Sequence, residues 1–145
     1  GLDPLPHYLP PHEDPQTHPE LAARFPLQMI CPPVPEFLNS SFVNVDSLRR
    51  AAGEPTVEIH HLDAAARGIR DGTKVKVFND RGSFLARAVV GDSVKQGVVC
   101  SQGVWWNRYT EDGVNCNVTT STRLTDFGGG ATFFDNLVDL QPYQG

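Results

Sequence analysis

The chain has 145 residues and a formal net charge of −5, with 39% hydrophobic and 20% charged residues. That is the size and balance of one ordinary globular domain, long enough to bury a real core without staples. No apolar run approaches the ~18 residues of a membrane span, and no apolar stretch follows a basic start, so neither a span nor a secretory leader is expected. The acidic balance argues against nucleic-acid binding driven by phosphate contacts.

In chain order, residues 1–24 come first, with six prolines together with His7, His12 and His18. Proline removes backbone donors and fixes φ, so this stretch reads as an extended linker or surface-hugging arm without regular structure. The sequence changes character at Phe25, and residues 25–145 read as the folded domain. Residues 25–30 (FPLQMI) form an apolar run stopped by Cys31, Pro32 and Pro33, a buried strand followed by a stiff turn. A loop rich in amides and hydroxyls follows at 35–44. Residues 46–52 read as a short helix with Asp46 as N-cap and Gly53 as its stop.

Residues 56–60 (TVEIH) alternate like a half-buried strand. Asp63 is placed as the cap of a second helix, 64–67, with Gly68 ending it and Ile69 folding back onto it. Residues 73–79 and 83–90 read as two strands joined by the turn Asn79-Asp80-Arg81-Gly82, with Gly82 in the left-handed position. Another short strand is expected at 97–101 and a last one within 133–140. Six or seven short strands with two short helices favour a small mixed barrel over a doubly wound sheet. Between Arg49 and Arg108 there are ten basic and six acidic residues, a positive surplus inside an acidic chain.

Candidate chemistry is sparse. Cys31, Cys100 and Cys116 are an odd number with no C-x-x-C pair, and read as small buried hydrophobes in a reducing compartment. Ser, His and Asp occur, but without a G-x-S-x-G elbow. His60 and His61 end a strand and Glu58 shares a face with His60, which is weak evidence for catalysis. Gly128-Gly129-Gly130 offers backbone N–H groups to an anion, yet no Lys follows as in a Walker motif. Asn39-Ser40-Ser41 and residues 115–122 (NCNVTTST) are dense in neutral donors and acceptors, which suit a hydrogen-bond-rich ligand such as a pterin or purine. The same residues also serve turns and caps. Of the adjacent Trp105 and Trp106, one is expected inside and one outside.

Four segments occur in a characteristic order: FPLQMICPPVPEFLNSSFVN, GEPTVEIHHLDAAARGIRDGTKVKVFNDRG, VKQGVVCSQGVWW and NVTTSTRLTDFGGGATFFDNLVDL. Together, over residues 20 to 141, they resemble the C-terminal molybdopterin dinucleotide-binding domain of the dimethyl sulfoxide reductase superfamily of molybdenum enzymes, in particular its formate dehydrogenase-like and anaerobic dehydrogenase members. The run D-A-x-x-x-G-I-x-D-G-x-x-V-x-V-x-N-x-R-G carries most of the specificity. The resemblance implies a six-stranded double-psi β-barrel. It implies a role in clamping bis(molybdopterin guanine dinucleotide) against upstream catalytic domains of the same enzyme. It places cofactor contacts at Pro32, Pro33, Asn39 and Ser40 in one loop, and at Asn117, Asp126, Gly130, Thr132 and Phe133 in another, with Trp105 between them.

The resemblance implies no catalytic residue and no metal ligand in this chain, since the molybdenum ligand and any iron–sulfur cluster lie upstream. The arm and the initial Gly1 lead us to expect a fragment of a larger oxidoreductase or a small subunit of a split one, cytoplasmic or, for the parent enzyme, periplasmic. Two rivals share the barrel: an interaction or substrate-recognition module without a cofactor, and a self-cleaving pyruvoyl decarboxylase. The second needs a Gly-Ser step, and Gly82-Ser83 is the one pair, placed at a hairpin.

Overall fold

Strand alternation decides the architecture. In β1 (Leu27–Ile30), β2 (Thr56–His60), β3 (Lys74–Asn79), β4 (Gly82–Gly91), β5 (Val98–Cys100) and β6 (Leu137–Pro142), apolar side chains at every second position point to one side. In the computed structural model, which describes residues 5, 7–125 and 127–144, these strands close into a barrel in the order β1-β5-β2-β4-β3-β6. Pairings β1–β5 and β2–β4 are parallel and the other four antiparallel. This is the six-stranded double-psi barrel that the resemblance implies. Leu27, Met29, Val57, Ile59, Val75, Val77, Phe84, Ala86, Ala88, Val99, Val138 and Leu140 fill the interior. Each large one contributes about 1.5–3 kcal/mol by leaving water.

Several local expectations shift. The arm is not wholly irregular: Pro19 opens helix α1 (Pro19–Arg24). A proline at the first helical position loses nothing, because that N–H has no intrahelical partner. Helix α2 spans Asp46–Ala52 with Gly53 at φ 83° as its stop, but Val45 is the N-cap. Asp46 lies inside the first turn and pairs with Arg49. Helix α3 spans His61–Ala66 and begins two residues before the expected cap. His60 takes that place, its Nδ1 accepting the Leu62 N–H at 3.3 Å. Asp63 is instead buried, with a carboxylate oxygen accepting Gly97 N–H at 2.7 Å. Ile69 does fold back, its N–H donating to Ala64 O.

Gly82 is needed for closeness rather than for φ. It is an ordinary strand residue at the start of β4, and a Cβ there would lie 2.6 Å from Val118 Cγ2. The last strand begins at Leu137, four residues later than the start of the expected window. Phe133 and Phe134 stay half exposed in the preceding loop. The basic surplus is largely absorbed by ion pairs: Arg67–Asp139, Arg81–Glu13, Arg87–Glu54, Lys74–Glu111 and Arg49–Asp46.

Candidate functional site

The loop after β1 is built on a second, smaller core of Phe37, Val43 and Trp105. Trp105 meets Phe37 edge-on at 5.2 Å between centroids and is only 5% exposed. It therefore supports the loop from beneath, while Trp106 is half-buried beside it. The Trp106 Nε1–H donates to Ser40 O at 2.6 Å. Leu38 and Ser41 pair across the tip, leaving Asn39 and Ser40 exposed. Asn39 has φ 52° and Phe42 φ 74°. Asn tolerates the left-handed region; a Phe there costs about 1–3 kcal/mol, which the burial of the adjacent Val43 with Phe37 and Trp105 must outweigh. Strain and exposed polar groups thus coincide in one loop.

Gly103 connects this loop to the next. Its N–H donates to Pro32 O at 2.8 Å, and its O accepts from Cys116 Sγ at 3.8 Å. Gly103 has φ 73°, and a Cβ there would meet Val34 at 3.1 Å, so glycine is demanded twice. The structure therefore brings Pro32, with Pro33 beside it, to the same junction as Cys116 and Asn117. Asn117 sits in a 3-10 turn, Cys116–Thr119, whose start is capped by Asn115: Oδ1 accepts the Asn117 N–H at 3.0 Å. The Asn117 side chain is exposed. The Cys116 contact and burial hold the Cys31 thiol protonated, well above its ordinary range. Burial pushes Cys100 up to about 11, with Glu58 adding to it. Cys31 and Cys100 are thus held as thiols packed in or against the core.

This 3-10 turn lies directly on β4 because residue 82 has no side chain. Gly82→Ala is expected to cost about 1–3 kcal/mol by overpacking against Val118. It should also displace Asn117. Thermal melting checks the first effect and amide shifts at residues 115–120 the second.

The remaining expected residues form a separate patch in the loop between Thr119 and Leu137. Leu124 and Ala131 pair across it; Thr125 N–H donates to Gly130 O and Gly130 N–H to Thr125 Oγ1, both at 2.8 Å. Gly130 N–H is thus already used within the loop. Thr132 is buried, its hydroxyl donating to Arg123 O at 3.0 Å, and Phe133 is half exposed. Asp126 lies outside the described residues.

A groove of about 530 Å³ runs between this loop and the arm, lined by Leu9, Pro10, Pro11 and His12 on one side and Thr132, Phe133 and Asp135 on the other. The His12 N–H donates to Asp135 Oδ2 at 2.8 Å. The arm's share in this groove was not expected from its proline content.

Nor was the polar network that anchors the loop. Glu13 is buried against Arg81, and its Oε2 also accepts the Leu137 N–H at 2.9 Å. Arg81 Nε donates to Thr119 O at 2.6 Å. Asn136 is fully buried, with Nδ2 donating to Thr119 Oγ1 at 3.1 Å and Oδ1 accepting from Asn79 and Arg81. The available signal was an Asn placed directly before the apolar pair Leu137-Val138.

Residues 27–137 match the family model described as Molydopterin dinucleotide binding domain. The chain belongs to this family. Its cofactor is molybdopterin guanine dinucleotide, and the binding domain takes its place among those of molybdenum oxidoreductases. The chain is 38% identical over 116 residues to the probable oxidoreductase YoaE of Bacillus subtilis, covering 80% of this chain and 17% of that protein. It is 35% identical over 144 residues to the dimethyl sulfoxide reductase DmsA of Escherichia coli, covering 97% of this chain and 17% of that protein.

Acetylene hydratase from Pelobacter acetylenicus shares the fold, with a TM-score of 0.82 at 19% identity over 99% of this chain and 22% of that one. The dinucleotide binding domain thus spans less than a fifth of the length of these curated relatives, 17% in each. The relatives' remaining length implies further domains of the same enzyme. Among the described residues, no helix is long and apolar enough to cross a membrane.

Proposed function

We propose that this domain clamps one dinucleotide arm of a bis(molybdopterin guanine dinucleotide) cofactor against the catalytic domains of a larger enzyme. The observation that carries this reading is the convergence on Gly103 of the loop bearing Pro32, Pro33, Asn39 and Ser40 with the capped turn bearing Asn117. Both present neutral amides, hydroxyls and backbone N–H groups, and their backbones are pinned from beneath, so little ordering entropy is lost on binding. Neutral donors pair with the polar edges of a purine or pterin and leave no charge buried unpaired beside an anionic ligand. The chemistry of this donor set fits the group. Gly130, Thr132, Phe133 and Asp126 form the second contact region, with Trp105 supporting the first.

When bound, the cofactor supplies the molybdenum at which oxygen-atom or electron transfer occurs. This chain's residues contribute binding and orientation, and none of them is catalytic or ligates the metal. Relatives include dimethyl sulfoxide and trimethylamine-N-oxide reductases. Reduction of a small S-oxide or N-oxide is therefore the whole-enzyme activity we assign. Residues 1–24 are the arm that joins the barrel, 25–145, to the catalytic body. We place the enzyme in the cytoplasm, where three unpaired thiols are stable.

An amide-shift titration of the chain with guanosine diphosphate tests the site. Saturable shifts are expected at Asn39, Ser40 and Asn117, with weaker responses to adenosine diphosphate. Asn117→Ala should weaken binding about tenfold, the worth of one or two hydrogen bonds. Shifts confined to other loops, or equal responses to both nucleotides, would sink the assignment.

A further inference from the structure

At the opposite end of the barrel a second cluster stands apart from these loops. Strand β2 runs antiparallel to β5, with Glu58 opposite Cys100 and Ile59 opposite Val99. The end of β2 therefore lies at the start of β5, away from the loops that follow β1 and β5. There His60 closes β2 and His61 opens α3. The parallel register sets His60 beside Gly91, so the next residue of each strand, His61 and Asp92, also come together. His61 Nδ1 is 2.6 Å from Asp92 Oδ1, and His60 Nε2 is 3.6 Å from the same oxygen. The two rings lie 4.3 Å apart between centroids, tilted by 33° to one another. Among the described residues, this is the one group of three His, Cys, Asp or Glu whose donor atoms all lie within 4.8 Å of one another.

We propose that His60, His61 and Asp92 form a binding site for a divalent first-row transition cation, Zn²⁺ in the first instance. Two imidazoles and a carboxylate are the donor set such cations prefer, whereas Mg²⁺ and Ca²⁺ want oxygen throughout. A metal with bonds of about 2.0–2.2 Å needs its donors roughly 3.0–3.5 Å apart. The two histidine-to-carboxylate separations, 2.6 and 3.6 Å, bracket that range, and all three donor atoms lie within 4.8 Å of one another, so the exposed His61 and Asp92 side chains can close on an ion by small rotations.

The histidines are adjacent in sequence and held at a strand–helix corner, so two of three ligands come preorganised. Asp92 Oδ1 faces both histidine rings. Glu58, on the same strand face, adds negative charge nearby; it accepts from Ser93 Oγ and Gln102 Nε2, both at 2.6 Å. Loading moves the His61 ring proton from Nδ1, where it faces Asp92 Oδ1 at 2.6 Å, to Nε2, and the His60 ring proton from Nε2 to Nδ1, giving up the Leu62 hydrogen bond, which is long at 3.3 Å. Three protein ligands leave the remaining positions to water. The bound cation would tie the β4–β5 connection, residues 92–97, to the start of α3.

Calorimetric titration of the 145-residue chain with ZnCl₂ in a non-coordinating buffer tests this, with melting followed in parallel. One equivalent should bind, and the melting temperature should rise with metal concentration. His61→Ala and Asp92→Asn should each weaken binding by about tenfold or more. The control His7→Ala/His18→Ala, in the arm, should bind as the parent does. Both site residues are exposed, and metal-free melts matching the parent confirm folding; Asp92→Asn keeps side-chain shape and decides the matter if His61→Ala is unstable. Absence of saturable binding, survival of binding in Asp92→Asn, or its loss in the arm variant would each overturn the site.

Discussion

Arg81→Ala is expected to destabilise the domain by about 3 kcal/mol, the lower end of the range for breaking a buried ion pair. The reason is what it leaves behind. Glu13 is 7% exposed, and without Arg81 its carboxylate keeps the Leu137 N–H but loses its counter-charge. Thr119 O also loses its bond from Arg81 Nε, and Asn136 Oδ1 loses one of its two donors. A fall of roughly 6–12 °C in melting temperature follows for a chain of this length.

The same substitution should loosen the arm, because Glu13 is the buried one among the arm's described residues and Arg81 is its partner on the barrel. Limited proteolysis in residues 7–18 should accelerate even below the melting transition. Arg81→Lys keeps the charge but not the forked geometry, and should recover only part of the loss. A loss of less than about 1 kcal/mol would mean that water replaces the pair and that the network is not cooperative. Asn136→Ala should overlap with Arg81→Ala rather than add to it, since the two share partners.

The second large effect is expected at the centre of the barrel. Ile59 on β2 is fully buried and packs in the main core. Ile59→Ala removes three carbons from a closed, close-packed interior, where six strands bonded into a ring cannot collapse around the void. The expected cost is about 3–4 kcal/mol, read from denaturant melts. Val89 on β4 is 42% exposed, and its replacement by Ala should cost under about 0.5 kcal/mol. A loss at Ile59 no greater than that at Val89 would contradict the inward assignment of alternate strand residues.

That alternation was legible beforehand, which is why β2 was expected at its observed bounds, Thr56–His60. Helix starts were less so. Asp46 and Asp63 both fit the residue type of a cap, but an Asp in the first turn also favours the helix dipole, and sequence alone does not separate the two positions. The Gly82 error has a similar root. Glycine is used both for positive φ and for close approach, and only Val118, thirty-six residues away in the chain, shows which applies. At the candidate site, the exposed amides of Asn39 and Asn117 were legible as residue types in loops. Their convergence on Gly103 was not, because it depends on β1 and β5 lying side by side.

The period-2 pattern of apolar residues, the turn glycines and the ordered family segments are local properties, and they suffice for the barrel, its inward faces and its cofactor class. Glu13 with Arg81, His61 with Asp92, and Pro32 with Gly103 are separated by many residues of chain. No local propensity records such pairs. They exist because closing the barrel sets a register between distant strands, and a register places side chains whose neighbours in sequence are elsewhere. The seating of the arm, the polar lock on the last strand and the cluster at the far end of the barrel were decided there, by tertiary structure alone.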